Sequence, residues 1–484
     1  MISKTFFSLS VAVLLTASCS APSVQHADNG AAPLETSAKA ATVPTQSGPV
    51  AGYVDGDVFI FKGIPYARAA RFMPAEDPEP WTEVRSSRAY GPTCPQDKRS
   101  GWWSDAQAFA MHWDDGFPDE DCLRVNVWTA GIDSGKRPVM VWLHGGGFRA
   151  GSGQELISYD GTNLARDHGV VVVTLNHRLN VLGFLDLSAY GAKYAHSGNL
   201  GMMDIVKALE WVRNNIAAFG GDPSNVTIFG QSGGGGKVST LMAMPSAKGL
   251  FGKAIVESGS ITQLMEPKYS RRIGAKTVEA LHLNPSRIDK IAEVPYEQLL
   301  AAYNDAIAAV CEEARQDGAF PDNILSSILF GQVPVVDGEV IPAQPATPEA
   351  LSLSKDIPVI IGTTFHEFTR DREDPIFQPL AKQQAADRNA AGCAPVYFYQ
   401  FTWESPVLDN AFGSTHCIEI PFVFDNVALH RTFTGGGADA VELGHRISRL
   451  WTSFARTGIP ESEGIPQWEP YPRKMILNLE STIN

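Results

Sequence analysis

A serine lies at the centre of the short sequence GQSGG, residues 230–234, which has the spacing G-x-S-x-G. The run before it, residues 226–229 (VTIF), is typical of a buried strand, and the segment after it, which Pro245 would end, is typical of a helix. A strand that turns sharply into a helix strains the middle residue of the turn and leaves little room for a Cβ on its neighbours. The pattern therefore predicts that Ser232 is an exposed nucleophile beside a helix N-terminus, which favours developing negative charge.

A second glycine-rich sequence could stabilise the oxyanion that such a nucleophile creates. The apolar run at residues 139–143 (VMVWL) leads into HGGG, residues 144–147, whose amides carry no screening side chains. Each motif alone also fits a feature without function: a glycine-rich turn around Ser232, and a flexible loop at the end of a strand. Found together and in this order, the two motifs predict a serine hydrolase.

The elements around these motifs predict an α/β fold, with a doubly wound, mostly parallel central sheet and helices on both faces. Solid apolar runs predict buried strands at residues 139–143, 170–175, 226–229, 254–256, 359–362 and 396–402. A helical period covers residues 205–219 and 438–456. Residues 260–330 are mostly helical by composition, and we expect them to form a helical cap over the edge of the sheet.

Composition and charge exclude several other classes of protein. The 484 residues are 44% hydrophobic and 19% charged, as in a globular protein rather than a disordered or fibrous one. The net charge of −14 argues against a nucleic-acid partner. No C-x-x-C or H-E-x-x-H spacing occurs, so we predict no metal site.

The N-terminus has the features of an export signal. Lys4 precedes an apolar segment, residues 5–17, that is too short to span a bilayer as a helix. The sequence TASC that follows resembles a loose bacterial lipobox with Cys19 as the lipidated residue, although plain secretory cleavage near Ala21 and retention as an anchor stay open. We expect residues 1–19 to be the leader, residues 20–47 a flexible linker and residues 48–484 the folded domain. The protein is then periplasmic, secreted or an outer-membrane lipoprotein, attached to a membrane only through a lipid on Cys19.

The remaining cysteines are consistent with an oxidising compartment. Cys94 and Cys122 flank one loop, and we expect them to form a disulfide there. In the chain-entropy model, a bond across a loop of that size stabilises the fold by roughly 3–4 kcal/mol. Cys311, Cys393 and Cys417 are an odd number, so at least one of them should be free.

Four longer segments carry a resemblance to a known family. They are FKGIPYA (61–67), EDCLRVNVW (120–128), GNLGMMD (198–204) and AAFGGDPSNVTIFGQSGGG (217–235). From about Gly48 to Met475 the chain resembles the type-B carboxylesterases, the family of bacterial p-nitrobenzyl esterases and animal cholinesterases. The resemblance implies the α/β-hydrolase fold and a Ser-His-Glu catalytic triad.

The family pattern assigns the remaining parts of the site. It implies that the oxyanion hole is formed by Gly146, Gly147 and Gly233. The segment IIGTTFHEFTR, residues 360–370, matches the family's acid loop and makes Glu367 the acid. The glycine that usually follows the acid is replaced here by Phe368, and His366 occupies the place of a common aspartate.

The base should follow the acid in the chain, because the fold runs in the order serine, acid, histidine. The segment GSTHCIEIPFVFDN, residues 413–426, resembles the family's histidine segment and makes His416 the base. His366 is adjacent to Glu367 and is not easily oriented by it. We interpret His430 and His445 as packing or surface residues, and expect His144 to brace the glycine loop.

The implied chemistry is acyl transfer from a small-molecule ester through an acyl-enzyme, with no cofactor. Gln231 and Gly233 replace the usual glutamate and alanine of the family, and a helical section between Asp371 and Phe377 is missing. The shortened segment implies an open pocket that accepts small to bulky carboxylic esters. The same triad could also hydrolyse amides, lactones or thioesters. A non-catalytic binding module is the alternative of another class, and the complete set of active-site residues argues against it.

Overall fold

The structure of the chain is a computed structural model that describes residues 34–96, 104–318, 329–368, 370, 373 and 376–484. The predicted leader and Cys19 lie outside this part of the chain, so export and lipidation remain predictions. Most of the segment between Asp371 and Phe377, from which the sequence analysis inferred an open pocket, also lies outside the described residues. Within the described residues, no helix is long and apolar enough to cross a membrane.

A mixed eleven-stranded sheet forms the centre of the fold. The strands of the described chain are β1 (Thr42–Pro44), β2 (Pro49–Ala51), β3 (Tyr53–Asp55), β4 (Val58–Pro65), β5 (Arg85–Ser86), β6 (Arg124–Thr129), β7 (Arg137–Leu143), β8 (Val171–Leu175), β9 (Gly221–Gln231), β10 (Lys253–Glu257), β11 (Val359–Thr364), β12 (Val396–Phe401), β13 (Lys474–Leu477) and β14 (Thr482–Ile483). Their order across the large sheet is β14-β13-β12-β11-β10-β9-β7-β8-β6-β4-β3, and β1, β2 and β5 form a separate small sheet. The seven neighbouring strands β13, β12, β11, β10, β9, β7 and β8 are parallel to one another. Strands β3, β4, β6 and β14 pair antiparallel with their neighbours.

Helices cover both faces of the sheet, as the sequence predicts. They are α1 (Asp105–Met111), α2 (Thr162–His168), α3 (Asn180–Phe184), α4 (Leu200–Asn215), α5 (Gly233–Leu241), α6 (Pro267–Ala280), α7 (Tyr296–Gln316), α8 (Pro348–Leu353), α9 (Phe377–Ala390), α10 (Val407–Asn410), α11 (Ile420–Val423), α12 (Arg431–Thr434) and α13 (Ala438–Thr457). The six apolar runs correspond to β7 to β12, which are almost fully buried because helices pack on both sides of them. The predicted cap region contains α6 and α7, which pack against each other.

The order of the strands brings the two glycine-rich motifs together. Strand β7 lies between β8 and β9, so the direction in which the strands are added reverses at β7. Leu143 at the end of β7 is paired with Gly230 near the end of β9. A ligand site is expected in the crevice at such a reversal, beyond the carboxyl ends of the strands. Both motifs begin at this point.

Ordered structure begins before Gly48, so the predicted linker is wrong for its described part, residues 34–47. Strand β1 pairs with β2, and the N–H and C=O groups of Glu35 are bonded to Val54. Ala41 and Val43 are buried in the core. These two small apolar side chains contribute to the core in a segment whose overall composition resembles a tether.

Cys94 and Cys122 meet in the core, but no disulfide joins them in the structure. A hydrogen bond between the two thiols and their burial raise the pKa of Cys122 well above its usual range. The Leu179 N–H also donates to Cys94 Sγ at 3.2 Å. The structure therefore contains a buried pair of thiols where the sequence analysis expected a bond; packing alone brings the side chains together, and their oxidation remains a prediction.

Candidate active site

Ser232 occupies a strained turn between β9 and α5. Its backbone angles are φ 58° and ψ −124°, which a residue with a side chain rarely adopts. A Cβ on Gly230 would lie 2.5 Å from the carbonyl oxygen of Leu143, and one on Gly234 would lie 1.9 Å from the same atom. Both glycines of the motif are therefore required by the close approach of β7. The turn leaves Ser232 partly exposed in the crevice at the strand ends.

The HGGG loop supplies free amides beside this serine. Gly146 and Gly147 have φ values of 78° and 65°, in the left-handed region that favours glycine. A Cβ on Gly233 would lie 2.2 Å from the carbonyl oxygen of Gly147, so the loop is packed directly against the start of α5. None of the N–H groups of Gly146, Gly147 and Gly233 donates a hydrogen bond to another described residue. These three predicted oxyanion donors are therefore close together and unpaired.

Glu367 and His416, which the sequence analysis expected to be the acid and the base, are hydrogen-bonded to each other in the structure. His416 Nδ1 is hydrogen-bonded to Glu367 Oε2, and the other carboxylate oxygen accepts the N–H of Thr364 at 3.0 Å. The backbones of the two loops are also joined, because the His416 N–H donates to the Glu367 carbonyl at 3.1 Å. Both side chains are buried, and the His416 ring borders the same cavity as Ser232.

The other four histidines that the sequence analysis considered have structural partners. The Ser414 N–H donates to His366 Nδ1 at 2.9 Å, so His366 braces the loop that carries His416. His430 is hydrogen-bonded to Ser158 and to the carbonyl of Ala110. His445 pairs with Asp425, and His144 lies beneath the glycine loop. No second histidine among them competes for the role of base.

Two aromatic side chains hold the ring of His416. Phe377 stacks on it with centroids 5.0 Å apart and an interplanar angle of 16°, and Phe368 lies at 4.6 Å. Phe368, which replaces the family's glycine, is therefore part of the site. The amide nitrogen of Gln231 lies 3.2 Å from His416 Nδ1 and 3.3 Å from Nε2, and its carbonyl oxygen accepts the thiol of Cys417 at 3.1 Å. Sequence reasoning treated Phe368 and Gln231 as departures and did not foresee either contact.

Two further buried glutamates lie behind the acid. Burial raises the pKa of Glu257 to about 8, and Trp451 Nε1 donates to one of its oxygens at 2.7 Å. Burial, and then the charge of Glu367, raise the pKa of Glu419 well above its usual range. Each of these two carboxyl groups has one buried oxygen, Oε2, with no partner among the described residues. Burial therefore disfavours the charged form of both carboxyl groups, and neither is identifiable from a sequence motif.

The site opens into a cavity of about 400 Å³. Apolar side chains of Met111, Trp113, Phe412 and Phe433 form part of its wall, and Arg149 lies in the wall near the glycine loop. Among the described residues, no group of three or more His, Cys, Asp and Glu side chains could hold a metal ion. The arrangement can bind a small molecule with an apolar group and stabilise negative charge on its carbonyl oxygen.

Comparison with known proteins agrees with this geometry. The chain is 37% identical to a para-nitrobenzyl esterase of Bacillus subtilis, over 91% of this chain and 95% of that protein. It is 32% identical to a phenmedipham hydrolase of Pseudarthrobacter oxydans, over 88% of this chain and 92% of the relative.

Solved structures have the same fold. An esterase from Clostridium hathewayi that hydrolyses aliphatic aromatic polyesters matches with a TM-score of 0.80 and 34% identity, covering 92% of this chain and 95% of its own. A thermophilic p-nitrobenzyl esterase matches with a TM-score of 0.78 and 34% identity, covering 92% and 97%. The model of the carboxylesterase family matches residues 39–375 and 373–483, which is most of the described fold and includes both glycine motifs and the acid–histidine pair. The chain is a serine carboxylic ester hydrolase and belongs to the carboxylesterase family.

Proposed function

We propose that the protein hydrolyses carboxylic esters in two steps through an acyl-enzyme on Ser232. The observation that carries this proposal is the bond between His416 Nδ1 and Glu367, in a ring that borders the same cavity as the strained serine. That bond fixes the tautomer of the imidazole, so Nε2 is the nitrogen that accepts the serine proton. The free amides of the glycine loop are available to the oxyanion.

The steps follow from these positions. Ser232 Oγ attacks the ester carbonyl while its proton passes to His416 Nε2, and the carbonyl electrons move onto the oxygen. When the carbon–oxygen bond to the alcohol breaks, His416 returns that proton to the alkoxide, leaving the acyl group on Ser232. A water molecule then attacks the acyl carbon, its proton passes to His416 and back to Ser232, and the carboxylic acid leaves. Glu367 stabilises the imidazolium in both steps.

The cavity indicates the class of ester. Apolar walls favour aliphatic or aromatic groups, and about 400 Å³ exceeds what a short acyl chain needs. We therefore propose small to bulky apolar esters as substrates. Because the solved relative from Clostridium hathewayi acts on aliphatic aromatic polyesters, esters of aromatic acids are included in the first assay. Amides, lactones and thioesters would use the same steps, and are tested beside them.

The test is a panel of p-nitrophenyl esters, from acetate to decanoate, with aromatic esters added. We expect turnover by the wild type and a fall in kcat by a factor on the order of 10⁵ or more in Ser232→Ala. Ser239→Ala is the matched control, because this serine is buried on the same helix and contacts Gln384 instead of the cavity.

Two results of this assay are informative if turnover is absent. Labelling of the wild type by an organophosphate without turnover of any ester would restrict the enzyme to a narrow dedicated substrate. Absence of both labelling and turnover would contradict the proposal and favour a binding module. Full activity of Ser232→Ala would overturn the assignment of the nucleophile.

A further inference from the structure

A fully buried lysine contacts the backbone of the oxyanion loop. Lys237 is the fifth residue of α5, and its side chain points back towards the beginning of the helix, as helical side chains do. Its Nζ donates a hydrogen bond to the carbonyl of His144 at 2.8 Å and makes a longer one to the carbonyl of Gly145 at 3.4 Å. The exposed fraction of the side chain is 0%. The motif analysis of the serine turn did not include this residue.

The position is an expensive one for a lysine. An ammonium group loses its hydration when buried, and near the first turn of a helix it also opposes the positive end of the helix dipole. No described carboxylate forms an ion pair with Nζ. The ring of Phe148 lies 5.9 Å away and offers only a weak compensation. An apolar side chain would fill the same space at lower cost, so the lysine requires another explanation.

The peptide that Lys237 contacts is part of the predicted oxyanion hole. The carbonyl of Gly145 and the N–H of Gly146 belong to one planar, trans peptide group, in which the two bonds point in opposite directions. A hydrogen bond from Lys237 to the Gly145 carbonyl therefore makes the Gly146 N–H point away from the lysine. The same hydrogen bond polarises the peptide and strengthens its N–H as a donor.

The glycine loop needs such an external constraint. Three consecutive glycines have more accessible backbone conformations than any other tripeptide, and ordering them costs conformational entropy. His144 Nδ1 also contacts the Gly145 carbonyl, at 3.0 Å, so this oxygen has two partners, neither of which lines the cavity. Lys237 is the one that joins the loop to the nucleophile helix.

We propose that the Lys237 ammonium is a positioning residue for the oxyanion hole, which it orients by holding the carbonyls of His144 and Gly145. This inference rests on the proposed esterase function. Lys237 touches neither the substrate nor the reacting atoms, and it acts through the peptide of Gly146. It also adds a buried positive charge behind the position where the oxyanion forms, which lowers the energy of that negative charge.

The surroundings of Lys237 give the proposal a pH dependence. Glu155, His144 and His177 are the titratable groups that face it from neighbouring loops. Burial lowers the pKa of both histidines well below the usual value, so they stay neutral above acid pH. Burial lowers the pKa of Lys237 to about 7, against the attraction of Glu155, whose own pKa burial raises to about 7. Lys237 is therefore charged below this pH and loses its charge above it.

The first test compares Lys237→Met with Thr240→Val. The methionine preserves the length of the side chain without a donor. Thr240 is a buried residue of the same helix, and the carbonyl of Gly236 is the one hydrogen-bond partner of its hydroxyl within the part of the chain that the structure describes. Per active site titrated with an organophosphate, we expect Lys237→Met to lower kcat by about 10- to 100-fold with little change in KM. A boronic acid, which forms a tetrahedral adduct, should bind more weakly by a similar factor. Thr240→Val should change neither quantity more than about threefold.

Several outcomes overturn the proposal. Unchanged kcat and boronic acid affinity in folded Lys237→Met would do so, as would a loss of thermal stability with intact affinity for the adduct, because that pattern is a purely structural role. The comparison of the wild type with Ser232→Ala tests the esterase function separately. The esterase function is contradicted only if the wild type has no turnover that depends on Ser232, whereas the role of Lys237 can fail in an active esterase.

A second test does not depend on how Lys237→Met folds. In the wild type, kcat/KM should fall about tenfold as Lys237 is neutralised above roughly pH 7. Glu155→Gln is measured beside it, because Glu155 titrates in the same range, and the falling limb should survive in this variant. A plateau up to roughly pH 9 in both proteins, or a fall that Glu155→Gln removes, would overturn the role of the ammonium.

Discussion

The two sides of the catalytic cavity contain buried charged groups of opposite kind. Behind His416 lie three glutamates, Glu367, Glu257 and Glu419, and all are buried. Behind the glycine loop lies Lys237, with no acidic ion-pair partner among the described residues. In the transition state of ester cleavage, the imidazole gains a positive charge and the carbonyl oxygen a negative one. The imidazole therefore has acidic groups behind it and the carbonyl oxygen has a basic group behind it. Both kinds of group lost their hydration when the protein folded.

The acidic side is nevertheless not a cluster of three negative charges. Burial raises the pKa of Glu257 to about 8 and that of Glu419 well above its usual value, so burial opposes a negative charge on both. Glu367 differs because both of its oxygens accept a hydrogen bond, one from His416 and one from the Thr364 N–H. This pattern of donors distinguishes Glu367 from the other two carboxyl groups, each of which has an oxygen with no partner among the described residues. On the other side, a single lysine has the corresponding position.

Among the substitutions that test this comparison of the acidic and basic sides, we expect Glu367→Gln to have the largest effect. The amide keeps the shape of the acid but removes its charge and can bind the imidazole in the wrong tautomer. We expect kcat to fall by about 10³- to 10⁴-fold, with slower labelling of Ser232 by an organophosphate. Glu419→Gln is the matched control, because that carboxyl group is also buried but accepts a hydrogen bond from Ser258 instead of His416, and kcat should change by less than about fivefold. Equal losses in the two variants would contradict the assignment of the acid.

The opposite side is tested by Gly233→Ala. A Cβ at this position would lie 2.2 Å from the carbonyl oxygen of Gly147 and 2.4 Å from its nitrogen, so the glycine loop must move. We expect kcat to fall by about 10- to 100-fold, with weaker binding of a boronic acid.

The control for that substitution is Gly252→Ala, where a Cβ meets no atom within 4 Å. Its kcat should equal that of the wild type. If Gly233→Ala is as active as this control, the loop can yield without cost, and the close packing does not fix the oxyanion hole.

Local sequence patterns predicted the parts of the site that depend on local geometry. The glycines at 230 and 234 are required by close backbone contacts, and Gly146 and Gly147 by positive φ angles; such local requirements are visible in a short motif. The apolar runs predicted β7 to β12, because a strand buried on both faces needs a continuous apolar sequence. Glu367 and His416 came only from family resemblance, since their loops are joined by long-range contacts.

The residues that were missed depend on partners far along the chain. Glu257 meets Trp451, Lys237 meets the loop at residue 144, and neither spacing follows a period that a single sequence can show. The linker was misjudged for a related reason, because Ala41 and Val43 are buried by other segments, not by their neighbours in sequence. Composition describes a segment well only when its own residues decide its structure.

The mildest test concerns stability rather than rate, and it uses Glu257→Gln. This carboxyl group has a pKa of about 8 in the folded protein and an ordinary value of 4.5, so between these limits the folded state holds one proton more than the unfolded state. Its contribution to the free energy of unfolding is therefore complete below about pH 4.5 and is lost as the pH rises towards about 8, by up to about 1.4 kcal/mol per pH unit. Glutamine can still accept the Trp451 N–H and does not titrate, so the loss should disappear in the variant.

Urea unfolding from roughly pH 5 to pH 8 measures this difference. Glu257→Gln should gain stability relative to the wild type as the pH rises, while Glu463→Gln, a substitution at an exposed glutamate, should follow the wild type throughout. The effect on kcat should be less than about threefold, because the contact of Glu257 with the serine turn runs through its backbone carbonyl, which accepts the Ser232 N–H at 2.8 Å. A difference in stability that does not vary with pH would mean that Glu257 is ionised in the folded protein, and the acidic side would then hold more than one negative charge.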